Sequence, residues 1–262
     1  MKAVESDLDR FEVIATGFPS LDAALGVGGI PTKKITEISG RYSMGKSTLA
    51  LQIVARAQNL GKKCLYADSE LSYSNIYAST LGIDIKALDL LQMTEFGEEL
   101  LDGIEEWARE HKNGVIVLDS IGGLLPREEA EKSANSRSIG LQARLIGAFT
   151  RRINPVITVN NHALIILNHE FVDIGTGRLK TSGGEKLSYA KSIWFTLKRT
   201  FGKSPKRTGD GLKTVLFIEA EIRKNKVAAT EGMKCELEMV PGLGFATSPV
   251  PFKKRGRPSK II

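Results

Sequence analysis

The chain has 262 residues, 42% of them hydrophobic, enough for one α/β domain with a buried core and without an interior linker to a second. Its net charge of +7 is local: the last ten residues carry Lys253, Lys254, Arg255, Arg257 and Lys260 with no acid, and the stretch from Lys198 to Lys213 is also basic, while acids slightly outnumber bases elsewhere. Two cysteines give neither a disulfide framework nor metal spacing, and no leader or membrane-length run is present, so the expectation is a reduced, cytoplasmic protein with no membrane partner and a polyanionic one.

In chain order, "DRFEVIA" offers one short strand near the start, and a regular alternation follows. "KKITEIS" reads as a strand, Lys46 to Leu60 as a helix, "KKCLYAD" as a strand, and Ser74 to Leu81 and Glu98 to Glu110 as helices. Then come the strand "GVIVLD", a helix from Ile139 to Ile153 and the strand "HALIILN". This pattern predicts an α/β fold with a mostly parallel central sheet flanked by helices. Beyond Leu187 two strands, "SIWFTLKR" and "KTVLFIEAEI", are joined by the basic "TFGKSPKRTGDGL", which predicts an antiparallel hairpin extension, and "KCELEMV" adds another strand. The expected layout is a short segment at 1–15, one core at 16–246 and a basic tail at 247–262.

"GRYSMGKST", from Gly40 to Thr48, fits the P-loop pattern between a strand and a helix. Backbone N–H groups of such a loop, here Gly40, Arg41, Tyr42, Ser43, Met44 and Gly45, curl around phosphates, and the helix N-terminus adds its dipole. Lys46 would reach the β and γ phosphates, Ser47 would ligate Mg²⁺, and Thr48 completes the motif. Asp119 closes the apolar strand "GVIVLD", where it would hold the Mg²⁺ shell or cap the next turn. Glu70 in "LYADSE" is a candidate general base, or a solvated strand-end glutamate. In "RKNKVAA", Lys224 and Lys226 lie two apart in a strand pattern and would aim two ammonium groups at one anion; the alternative is a pair of edge lysines that discourage aggregation.

These motifs together resemble the RecA family of recombinases. "TGFPSLDAALGVGGIP" is similar to that family's lead-in, and "GRYSMGKST", "YADSE", "VIVLDS", "GLQARLIGAFTRRI", "IILNH", "TSGGEKL" and "RKNKVAA" follow in its order and spacing. The resemblance implies a RecA-type ATPase core using ATP and Mg²⁺, with Glu70 as catalytic base and Lys224 and Lys226 reaching the γ-phosphate held by a neighbouring subunit. Asn168 and His169 would form the γ-phosphate switch. Histidine at 169, where bacterial members have glutamine, resembles phage recombinases. Tyr77 matches the family's base-stacking tyrosine, and Ser74 stands where an adenine-binding aspartate is usual.

The same resemblance places DNA-facing loops at 131–139 and 170–185, with Arg137, Arg178, Lys180 and the segment Thr181, Ser182, Gly183 and Gly184 as contacts, joined by Arg144 and Arg151 on one helix face. Arg255 and Arg257 in "KKRGRPSK" resemble an AT-hook core, or serve as a general basic tail. The implied partners are single- and double-stranded DNA, further copies of the chain in a helical filament or ring, and single-strand-binding protein or recombination mediators. The acid-rich start is shorter than the family's docking segment, leaving Phe11 or Val13 as a reduced anchor, and most of the family's large C-terminal domain is absent. The expected function is strand exchange driven by ATP; a recombinase paralogue acting as a loading factor and a hexameric helicase are the alternatives.

Overall fold

The computed structural model describes residues 10–131, 140–172, 179–208, 211 and 213–247. The parallel half of its main sheet runs Ile193–Arg199, Lys34–Gly40, Ala163–Val172, Val115–Asp119, Cys64–Asp68 and Leu88–Gln92. From Ile193–Arg199 the sheet continues antiparallel through Thr214–Asn225, Lys234–Val240 and Gly244–Phe245. The expected mixed sheet with an antiparallel extension is therefore present. Near-continuous apolar runs form the central strands because both faces are covered. Val115 and Val117 pack with helices Lys46–Asn59 and Asn75–Thr80, while Ile116 and Leu118 pack with Gly97–Glu110 and Leu141–Val159.

Three elements depart from the reading of the sequence. Leu88–Gln92 is an additional edge strand; most of its residues are exposed or half-buried, so it lacks the apolar signature of its neighbours. The helix expected to end at Ile153 continues to Val159 through Pro155. Pro155 is exposed, so the carbonyl left without an N–H partner can face water. Ala163–Val172 runs four residues beyond Asn168 and pairs Glu170, Phe171 and Val172 with Thr181, Lys180 and Leu179. Much of the expected 170–185 loop is thus a β-hairpin followed by the helix Gly184–Ala190, and only 173–178 within it lie outside the described residues. The short strand expected near the start is present: Val13–Ile14 pairs with Ile30–Pro31, with Ile14 buried and Val13 at the surface.

Both cysteines are free, and burial pushes the Cys64 thiol to about 12 and Cys235 to about 11. No helix among the described residues is long and apolar enough to cross a membrane.

His162, given no role by its sequence, joins three elements. Its Nδ1 accepts from Gly114 N at 2.9 Å, and Nε2 faces the carbonyls of Ala108 and His111 at 2.9 and 3.0 Å. Burial holds its pKa below the usual value, since protonating Nδ1 would break the Gly114 bond in an enclosed site. The unfolded chain therefore takes up a proton at a pH where the folded chain does not. Stability should be constant with respect to this group above about pH 6.5 and fall below it, by up to about 1.4 kcal/mol per pH unit. Urea unfolding from pH 7.5 to 5.5 checks this: His162→Asn should be less stable at pH 7.5 yet flatter with pH, and an unchanged slope would remove His162 from the acid response.

Candidate nucleotide and nucleic-acid site

Two glycines shape the turn after Lys34–Gly40. Gly40, at φ 155°, passes so close to Leu197 that a Cβ would lie 2.5 Å from its carbonyl oxygen. Gly45, at φ 87°, rests on Met239 and Phe245, where a Cβ would come within 2.7 Å of the Met239 sulfur. The antiparallel extension thus backs the loop, and Gln52 clamps it by exchanging hydrogen bonds with the Phe245 backbone at 2.8 and 2.9 Å. Arg41 to Gly45 curl ahead of the helix that starts at Lys46, whose first N–H groups converge on the loop mouth.

Lys46 is buried and donates to the carbonyls of Gly40 at 3.0 Å and Arg41 at 3.1 Å. Its third contact is His169 Nδ1, at 3.3 Å. An ammonium only donates, so Nδ1 accepts and the ring proton is assigned to Nε2, which lies 2.9 Å from Glu70 Oε1. Ser120 Oγ donates to the same oxygen. Lys46, His169, Glu70 and Ser120 therefore form one continuous polar line from the P-loop helix across Ala163–Val172 to the ends of Cys64–Asp68 and Val115–Asp119. Burial lowers the Lys46 pKa, opposed by the Asp119, Glu70 and Glu170 carboxylates.

Asp119 ends Val115–Asp119 beside the loop, almost fully buried. Burial raises its pKa, offset by hydrogen bonds from Ser47 and from Tyr66 Oη, the latter at 2.5 Å. A hydroxyl and a carboxylate meeting at a phosphate loop are the hard oxygen donors that Mg²⁺ takes together with phosphate and water, so this pair fits the ion. Among the described residues no group of three or more His, Cys, Asp or Glu side chains converges as an all-protein metal cage. Tyr77 Oη bonds Thr48 Oγ1 at 2.9 Å, which sets the half-buried phenol against the P-loop helix. Ser74 caps the Tyr77 helix, accepting from Tyr77 N at 3.3 Å, so the serine keeps the capping chemistry of an aspartate.

Lys224 and Lys226 converge, but not by strand alternation. A bulge at Arg223 shifts the register between Ile222 and Lys224, and the strand ends at Asn225. Unbroken alternation would put Lys224 on the core face with Ala220 and Ile222; the bulge sends Asn225 inward instead. Lys224 Nζ donates to Ser188 O and Lys226 Nζ to Tyr189 O at 2.7 Å, at the C-terminal end of Gly184–Ala190. Burial and the neighbouring ammonium of Lys226 lower the Lys224 pKa. Asn225 is structural: its amide donates to Leu25 O and Thr230 Oγ1, and its carbonyl accepts from Val227 N and Ala228 N.

Thr181, Ser182, Gly183 and Gly184 line a cleft of about 600 Å³ with Gly122, Gly140 and Phe171. Lys180 stands on the adjoining short strand, exposed. Asn168 fixes this turn, donating to Ser182 O at 2.9 Å and accepting from Ser182 N at 3.2 Å. Arg144 and Arg151 are both exposed on Leu141–Val159, and Arg144 pairs with Glu128 at 3.6 Å. Arg137, Arg178, Arg255 and Arg257 lie outside the described residues.

Residues 1–246 match the RecA N-terminal domain family. This chain belongs to the RecA family. Similar relatives named Protein RecA include those of Deinococcus radiodurans, 38% identical over 244 residues (92% of this chain, 66% of that protein), and Thermus aquaticus, 36% over 242 residues (90% and 69%). That of Sulfurovum sp. is 34% identical over 234 residues, 87% of this chain and 65% of that protein. The chain spans about two thirds of the length of these RecA relatives. None of these relatives shows a phage origin, which rests on His169 alone.

Several residues that bear on this RecA-type site carried no signal in the sequence. Tyr66 reaches Asp119 from a neighbouring strand, 53 positions away. Lys191 pairs with Glu37 at 2.9 Å beneath the site, both buried, with the ammonium 3.9 Å from the Trp194 ring centroid. A charge just past a helix end, such as Lys191, usually reads as solvated, and only the partner's position reveals it as half of a buried pair.

Proposed function

We propose that this chain is the ATP-hydrolysing core of a DNA recombinase, which assembles on single-stranded DNA, pairs it with a homologous duplex and exchanges strands. One observation carries the reading. Asn168 and His169, adjacent on Ala163–Val172, bind opposite partners: His169 touches Lys46 and Glu70, and Asn168 holds the Ser182 turn. A strand so attached at both places couples occupancy of the phosphate loop to the nucleic-acid side.

In this reading Gly40 to Thr48 wrap the phosphates of ATP, Lys46 leaves its loop carbonyls for the γ-phosphate, and Tyr77 stacks on the base. Ser47 and Asp119 would hold Mg²⁺, which when bound neutralises charge developing on the phosphate oxygens. Glu70 takes a proton from the attacking water, with Ser120 and His169 fixing its carboxylate. Lys224 and Lys226 act on the ATP of a neighbouring copy, so hydrolysis depends on assembly. Arg144, Arg151, Lys180 and the Thr181–Gly184 turn contact single-stranded DNA together with Arg137 and Arg178. The tail past residue 246, through Arg255 and Arg257, adds duplex affinity, and single-strand-binding protein or mediators act at loading.

Electron microscopy of the protein on single-stranded DNA with a non-hydrolysable ATP analogue tests the whole. Helical filaments are expected; closed rings would indicate a helicase motor, and bare DNA an accessory paralogue. In duplex-binding titrations at several salt concentrations, deleting residues 253–262 should weaken duplex capture and flatten its salt dependence, since fewer phosphates are neutralised. An unchanged salt slope would leave the tail without a DNA role.

A further inference from the structure

Tyr42 is a large aromatic at a P-loop position whose pattern admits any residue, and the residue is 75% exposed. Core packing does not account for it. Its ring instead stacks on His169, with centroids 4.4 Å apart and planes 28° from parallel. On the imidazole edge stands Gly122, where an added Cβ would lie 3.3 Å from His169 Cδ2. The imidazole is thus confined between the phosphate loop and the turn after Asp119.

The confinement matters because of what the ring atoms meet. The χ2 torsion of histidine is broad and roughly two-fold when nothing restrains it. Turning it by half a revolution exchanges Nδ1 with Cδ2 and Nε2 with Cε1. Carbon would then face Lys46 and Glu70, and both polar contacts, at 3.3 and 2.9 Å, would be lost. A half turn keeps the ring plane, so these contacts choose between the two flips while the stack holds the plane; each polar group also has other partners, the Lys46 ammonium two carbonyls and Glu70 the Ser120 hydroxyl.

We propose that Tyr42 is a positioning residue for His169. Its stacked ring holds the plane of the imidazole, within which the Lys46 and Glu70 contacts select the flip that aims Nδ1 at Lys46 and Nε2 at Glu70, and so fixes the base candidate relative to the phosphate loop. Tyr42 also ties the loop to Ala163–Val172, so a shift of the loop carries the imidazole with it. The proposal rests on Lys46 and Glu70 being the ATP-hydrolysing pair.

The test uses the full chain with Tyr42→Leu, Tyr42→Phe, His169→Ala and the Tyr42→Leu/His169→Ala double variant. The chain has three histidines, so imidazole proton resonances are readily assigned, with His111 and His162 as internal controls. Tyr42→Leu should remove the ring-current shift of His169 and leave the other two unmoved. It should lower kcat for ATP about tenfold with KM changed less than about twofold, and Tyr42→Phe, which keeps the stacking face, should recover most of that loss. In the His169→Ala background Tyr42→Leu should have no further effect, as expected when one residue acts through the other.

Unmoved His169 resonances overturn the proposal whether or not the protein hydrolyses ATP. A raised KM at unchanged kcat would make Tyr42 a nucleotide contact, a Phe variant as poor as Leu would place its role in the hydroxyl, and additive losses in the double variant would separate it from His169; each overturns the proposal. If the wild-type chain does not hydrolyse ATP, the catalytic reading fails, and the His169 resonances alone decide whether Tyr42 orients the ring.

Discussion

Glu70→Gln is expected to lower ATP turnover by at least about a hundredfold while ATP binding and nucleotide-dependent DNA binding stay near wild type. The amide occupies the same space and still accepts a hydrogen bond from Ser120 Oγ. It cannot accept a proton from water at neutral pH, so the loss falls on the chemical step. The neighbours sharpen the expectation. Glu70 Oε1 is shared by Ser120 and His169 Nε2, and Asp68 anchors the turn by accepting from the backbone of Glu70 and Tyr73 at 3.2 and 2.9 Å. The carboxylate therefore stands in a fixed place beside the loop mouth, and a Gln variant should keep that place. Single-turnover hydrolysis, with filament formation measured in parallel, separates the outcomes. Turnover within a few fold of wild type would remove Glu70 from the role of base, and joint loss of binding and turnover would mean that the glutamate holds the fold of the loop.

The local parts of this architecture were legible in the sequence because their signals are local. Strand and helix periods place Lys34–Gly40, Lys46–Asn59 and Val115–Asp119 within a residue or two, and Gly40 to Thr48 declare a phosphate loop through conformational demands that glycine meets. The parts that escaped depend on contacts between distant segments. Leu88–Gln92 lies at an edge and buries little, so its apolar pattern is weak. The stacking of Tyr42 on His169 joins a loop to the strand Ala163–Val172, 127 positions away, and neither residue type announces it. Lys224 and Lys226 are alternate residues in the strand pattern of the sequence, and they do meet, but through the bulge at Arg223 and the end of the strand at Asn225. A one-residue register change reverses every side chain after it, and no composition rule predicts where it falls.

Mixing two inactive variants should restore activity, which is the sharpest expectation of a shared site. In the single chain the Lys224 and Lys226 ammonium groups are satisfied by the Ser188 and Tyr189 carbonyls, at the far end of the helix that begins in the Thr181–Gly184 turn. They are not on the phosphate loop of their own chain, whose lysine is bound to Gly40, Arg41 and His169. If they serve a neighbour's ATP, Lys224→Ala should abolish DNA-stimulated hydrolysis while monomers still bind ATP. An equal mixture with Glu70→Gln then contains interfaces at which the intact Glu70 comes from the Lys224→Ala subunit and the intact Lys224 from the Glu70→Gln subunit. Random head-to-tail assembly produces that arrangement at about one interface in four, so the mixture should recover about a quarter of wild-type turnover when both parents have almost none. Recovery would require the two groups to act across a subunit boundary. A mixture as inactive as its parents, on filaments shown to contain both, would return Lys224 to its own chain as a cap on the Gly184–Ala190 helix, where its ammonium offsets the negative end of the helix dipole.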